Sequence, residues 1–217
     1  DDDDDDEGDD EDYVPPTDRL TAALAMTEKA LRLSPDDEDV QFTHAMLLLD
    51  GEKAGLEGSI EALLALVRTF APAVRLNVAT RMGKLGHARF VEVVDAVLSG
   101  MAPGRVVTAQ SIARGPAAMI TSYGDVATEL FSELGEAILE HAPDRLARLA
   151  PVLPADVDLL SELAWKAIQA DEPLQATTVY QRLLDLPIPD DGDERTNYLR
   201  ALNNACVQAH AGKAYAL

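Results

Sequence analysis

A chain of 217 residues that is 47% hydrophobic can bury a sizeable core, and 5% aromatic content among abundant Ala and Leu points to close helix-on-helix packing rather than sheet. The net charge of −21 argues against a nucleic-acid partner, whose phosphates must be met by Lys and Arg; eleven of the 39 acids lie in residues 1–12 alone. The longest apolar stretches, 60–67 and 91–98, fall far short of the ~20 residues of a membrane helix, and a lone cysteine, Cys206, permits neither an internal disulfide nor a thiolate zinc site. A cytoplasmic protein without a membrane partner is expected.

Residues 1–12 repel one another and offer nothing to bury, so an acidic disordered tail is predicted, with Pro15 and Pro16 making a hinge of residues 13–17. The first helix is predicted over 18–33, burying Leu20, Ala23, Leu24, Thr27, Ala30 and Leu31 at helical spacing. Ser34 reads as the N-cap of the next helix, with Pro35 in its first turn and Asp36 and Asp37 against the helix dipole. That helix is expected over 37–49, followed by a loop carrying Asp50, Gly51, Glu52, Gly55 and Gly58 and a third helix over 56–69. A further hairpin is predicted at 73–85 and 87–98, punctuated by Gly86 and closed by Ser99, Gly100 and Pro103. Between 104 and 154 the pattern is irregular, with helices expected at 106–113, 125–141 and 144–149. Regular helices return at 156–170, 175–186 and 195–211, separated by a turn at Asp171, Glu172 and Pro173 and by an acidic loop after Pro187 and Pro189.

Two stretches share Asn-x-Ala with a glycine seven residues past the alanine: Asn77, Ala79 and Gly86, then Asn203, Ala205 and Gly212. Pro35 and Pro103 stand 68 residues apart, twice the 34-residue period of helix-hairpin repeats. The hairpin with Leu160, Leu163, Ala164 and Ala167, then Ala176, Tyr180, Leu183, Leu184 and Leu186, resembles a tetratricopeptide repeat, small residues sitting where the paired helices cross. The resemblance extends to the first helix, the 73–98 hairpin and the last helix. It departs from the family in lacking an initial tryptophan, in the long loop of the 38–69 unit and throughout 104–154. It implies an all-α fold: a right-handed superhelix of antiparallel helix hairpins, an α-solenoid with an irregular helical middle segment. The expected organisation is a tail and hinge over 1–17, hairpins over 18–103, the irregular segment over 104–155, and hairpins over 156–217 that continue beyond Leu217.

In such a fold the first helix of each hairpin lines a concave groove. Helical spacing then turns Phe42, Met46 and Leu49 toward it, followed by Leu76, Thr80 and Lys84, by Asp158, Ser161, Trp165 and Ile168, and by Leu202, Cys206 and His210. Trp165 falls outside the inter-helix packing positions, which leaves two readings: an anchor on the groove floor, or an aromatic packed under the irregular segment. Residues 68–114 hold seven bases against two acids. Tetratricopeptide domains that clamp a peptide carboxylate use Lys, Arg and Asn on inner helices, so the resemblance implies anion contacts at Arg75, Asn77, Arg81 and Lys84. The alternative is a solvated basic face, onto which the acidic tail could fold.

His44, His87, His141 and His210 are scattered, without the paired spacing of a zinc site, and no Gly-rich phosphate loop or nucleophile elbow is present. Asp3, Asp5, Glu7 and Gly8 imitate the start of a calcium loop, but Val14 stands where its closing Glu belongs. No catalytic residue, metal or cofactor is therefore predicted. The expectation is a non-enzymatic scaffold that binds a protein or peptide, as a peptide, helix or partner subunit, in a concave groove. Two alternatives stay open: a structural or regulatory helical-repeat domain of a larger multidomain protein, and a helical enzyme with a small-ligand cavity. The excess of Arg over Lys and the Ala/Leu bias match a GC-rich bacterial genome.

Overall fold

Ten α-helices and no strand make up the secondary structure of the described residues, which in this computed structural model are 16–99, 125–188, 190 and 192–211. In chain order they are α1 (Thr17–Leu33), α2 (Glu38–Lys53), α3 (Ser59–Leu66), α4 (Pro72–Lys84), α5 (Phe90–Ser99), α6 (Asp125–His141), α7 (Leu146–Leu149), α8 (Val157–Gln169), α9 (Pro173–Leu184) and α10 (Gly192–Ala211). The acidic tail, the calcium-like loop, the helix predicted at 106–113 and residues 212–217 lie outside the described residues.

Local chemistry explains where the helices differ from expectation. Ser34 does not open α2; its N–H closes α1 on the Ala30 carbonyl at 2.8 Å. The N-cap is Asp37, whose carboxylate accepts from the amides of Asp39 and Val40 at 3.1 and 3.2 Å. Asp50, Gly51 and Glu52 belong to the last turns of α2 rather than to a loop. The chain reverses after them, where Gly55 and Gly58 take φ of +77° and +80°, the left-handed region open to glycine. Consequently α3 is shorter than predicted. α4 and α9 both start on a proline, Pro72 and Pro173, in the first helical turn, where a missing N–H costs nothing. The stretch predicted as a helix at 144–149 divides into a 3₁₀ turn (Pro143–Arg145), the single turn α7 and a second 3₁₀ turn (Ala150–Val152). α6 forms over the predicted residues.

α1 and α3 both pack on α2, which also meets α4; α4 meets α5 and α6; α6 meets α8; α8 meets α9 and α10. Helices α2, α4, α6, α8 and α10 thus contact one another in succession, and α2 and α4 begin 34 residues apart, at Glu38 and Pro72. One apolar cluster runs continuously from Ala45 to Ala205. Close approach along it depends on absent side chains: a Cβ on Gly83 of α4 would stand 2.4 Å from the Ala137 Cβ of α6, and one on Gly135 of α6 would stand 2.4 Å from Leu163 Cδ2 of α8.

Side chains also tie loops to helices. Buried Gln41 donates from Nε2 to the Pro35 carbonyl at 2.6 Å and accepts at Oε1 from the Ala71 amide at 2.7 Å, holding both the α1–α2 turn and the start of α4. Asp95 of α5 receives Arg145 at 3.2 and 3.3 Å and also pairs with Arg148, fixing the α7 segment. In α1 only Leu20 is fully buried, while Ala23, Leu24, Thr27, Ala30 and Leu31 are half-buried, because α1 has α2 as its main neighbour. No helix among the described residues is long and apolar enough to cross a membrane.

Candidate functional site

Where α2, α4 and α6 adjoin, a cavity of about 390 Å³ opens. Each helix contributes one face at helical spacing: Phe42, Met46, Leu49, Asp50 and Lys53 from α2; Asn77, Thr80, Arg81 and Lys84 from α4; Leu130 and Glu133 from α6. The α2 side is mainly apolar and the α4 side polar. Of the residues assigned to a groove from the sequence, Phe42, Met46, Leu49, Asn77, Thr80, Arg81 and Lys84 come together in this wall.

The polar wall has definite bonding. Asn77 Nδ2 donates to the Ala73 carbonyl at 2.9 Å, which leaves its amide oxygen as an acceptor. Lys84 Nζ meets Glu133 Oε1 at 2.5 Å across the cavity rim, joining α4 to α6. Thr80 is only 4% exposed, and its hydroxyl has no hydrogen-bond partner among the described residues. A buried hydroxyl left unpaired costs roughly 1–3 kcal/mol.

Other predicted positions separate from this site. Leu76 is fully buried; α4 is flanked by both α2 and α6, so its apolar stripe is wider than one groove-lining helix needs and takes Leu76 into the core. Arg75 turns its Nε to the Phe70 carbonyl at 2.5 Å, and burial pushes its pKa below the usual guanidinium value. It serves the entry to α4 instead of the cavity. Within the basic stretch, Arg89 pairs with Glu92 and Glu61, which raise its pKa. On α8, Trp165 is 46% exposed, Ile168 lies half-buried against the core, Asp158 is exposed, and Ser161 donates to the Val157 carbonyl at 2.6 Å. On α10, Leu202 is half-buried and Cys206 exposed, while the His210 side chain lies outside the described residues. Asp50, Lys53, Leu130 and Glu133 were not anticipated. The i, i+3 spacing of the last two along α6 was the available signal.

The remaining histidines occupy separate structural positions. His44 Nδ1 lies 2.7 Å from Thr27 Oγ1. His87 Nε2 lies 2.7 Å from Glu52 Oε2, and its Nδ1 accepts from the Arg89 amide at 3.0 Å. His141 stands edge-on to the Phe90 ring. Among the described residues no three His, Cys, Asp or Glu side chains cluster as metal ligands would. Comparison with protein-family models, with curated proteins and with solved structures gave no match.

Proposed function

We propose that this chain is a non-enzymatic interaction module, a tetratricopeptide-like right-handed α-solenoid that binds a peptide or a partner's helix along the face shared by α2, α4 and α6. The observation that carries the reading is the convergence of Phe42, Met46, Asn77, Arg81 and Lys84 on one cavity with the unpaired Thr80 hydroxyl in its wall. A peptide suits that wall, because every residue of an extended or helical ligand offers an amide donor and a carbonyl acceptor beside an apolar side chain. Support for the repeat comes from the 34-residue offset between the starts of α2 and α4 and from the succession of contacts through α4, α6 and α8 to α10. In this reading an acidic group of the ligand competes with Glu133 for Lys84 and approaches Arg81. A ligand that continues from α6 onto α8 would also meet Trp165 and Ile168, which lie outside the cavity, with Trp165 as an aromatic anchor there.

A displayed peptide library selected on the wild-type protein, then re-measured on Met46→Glu, Asn77→Ala and Trp165→Ala, tests this. Enriched peptides should combine apolar and acidic residues. They should lose about tenfold in affinity or more on Met46→Glu, about 1.4 kcal/mol, because the new carboxylate is placed in the apolar wall. Peptides that bind Met46→Glu as tightly as wild type would end the assignment to this cavity, and undiminished binding to Trp165→Ala would remove Trp165 from it.

A further inference from the structure

A second, larger groove lies away from that face. α1 and α3 each rest on α2, and between them a cleft of about 740 Å³ is walled by Leu24, Leu31, Ala62 and Leu66 and floored by Leu48. The volume is that of a small-molecule site, about 300–1,000 Å³. Two buried polar side chains, His44 and Ser59, each 5% exposed, also line it.

Their hydrogen bonding determines what they can accept. The Thr27 hydroxyl lies 3.1 Å from the carbonyls of Ala23 and Leu24, which take its single proton. With that proton directed to the carbonyls, the hydroxyl oxygen accepts from His44 Nδ1 at 2.7 Å, a tautomer assigned from the hydrogen-bond network. Burial lowers the pKa of His44 and keeps the ring neutral, so Nε2 holds a lone pair. Neither Nε2 nor the Ser59 hydroxyl has a hydrogen-bond partner among the described residues. The rim favours no anion: Arg32 is paired with Glu28 at 3.3 Å, and Glu57 adds negative charge.

We infer that the α1–α3 cleft binds a neutral, apolar small molecule bearing a hydroxyl group, which donates to His44 Nε2 while its hydrocarbon part fills the leucine-lined walls. A hydroxyl supplies that donor. An ether lacks the donor, and a carboxylate brings charge that neither the walls nor the rim compensates.

Fluorescence titration of the full chain with 2-naphthol, 2-methoxynaphthalene and 2-naphthoate tests the assignment. 2-Naphthol should bind about tenfold tighter than its methyl ether, and naphthoate should bind weakest. His44→Phe should abolish the preference for naphthol over the ether, and Ala62→Phe, which fills the cleft, should weaken both. Since either variant could fold poorly, the wild-type protein supplies an independent reading: added 2-naphthol should move the ¹⁵N resonance of His44 Nε2 upfield. Equal affinity for naphthol and ether, tighter naphthoate binding, no measurable binding of any probe, or an unmoved His44 resonance at saturating naphthol would each overturn the proposal.

Discussion

Gly83 of α4 and Ala137 of α6 meet so closely that a Cβ on the glycine would stand 2.4 Å from the alanine Cβ and 3.0 Å from the Phe90 ring. Alanine is favoured over glycine inside a helix by about 1 kcal/mol, but overpacking a filled core costs about 1–3 kcal/mol. At Gly83 the obstacle is a Cβ fixed to the α6 backbone, so the steric term wins and Gly83→Ala should lower stability in urea unfolding. At Gly135 the atom in the way is Cδ2, the far end of Leu163, which can rotate, so Gly135→Ala should fall closer to wild type. A Gly83→Ala protein as stable as wild type would mean that α4 and α6 are not in such contact.

Gln41 holds two loops at once, and truncating it would strand the Ala71 amide and the Pro35 carbonyl. Gln41→Ala should therefore cost about 1–3 kcal/mol, seen as a lower urea midpoint at unchanged slope. Gln169→Ala, on the exposed end of α8, should stay within about 0.5 kcal/mol.

The hydrogen bond from Arg145, with the charges of Arg145 and Arg148, holds the Asp95 carboxyl below its ordinary pKa against the opposing effect of burial. A depressed carboxyl stabilises the fold above its unfolded pKa and loses that contribution as pH falls through the folded value. Asp95→Asn should accordingly be less stable than wild type at pH 7, by about 1 kcal/mol or less because the pair is partly solvated. The difference should close on acidification below about pH 4 and shrink with added salt.

His44 works in the same pH sense as Asp95, in a window nearer neutrality. Burial lowers its pKa, only partly offset by Glu28, so the unfolded chain takes up a proton more readily than the folded one. Stability should fall as pH drops from about 6.5 through the folded value. A series of melting temperatures between pH 8 and 5 should show a steeper decline for wild type than for His44→Gln, which cannot titrate. Parallel curves would remove His44 as the cause.

Trp165 is nearly half exposed. Trp165→Ala should leave the melting temperature almost unchanged, and the wild-type emission should be red-shifted and open to acrylamide quenching. A blue-shifted, unquenched emission would instead favour the reading in which the indole is covered.

Helix existence was legible in the sequence and helix ends were less so, for identifiable reasons. The 3.6-residue pattern over Asp125–His141 located α6 fully, whereas Asp50, Gly51 and Glu52 looked like a loop because glycine beside acids usually marks one. A glycine stands inside the helix at position 51 because Ser59 Oγ lies 2.8 Å from where a Cβ would be, a packing requirement that no local pattern reveals. Among cavity residues, spacing alone turned Phe42, Met46 and Lys84 to the faces of α2 and α4 that line it. It misassigned Leu76, since the width of the buried stripe on α4 depends on having neighbours on two sides, and it could not supply Glu133, which comes from a helix 49 residues beyond its partner Lys84.

The tight seam at Gly83 also bears on the cavity between α2, α4 and α6. Phe42, Met46 and Asn77 sit on one side of the α4–α6 junction or on its near jaw, with Leu130 and Glu133 on the other, so the gap between the jaws is set by a residue outside the cavity lining. A single methyl inserted there acts as a spacer in a calliper: it should widen the aperture and shift which ligands are gripped, without altering any atom that touches them.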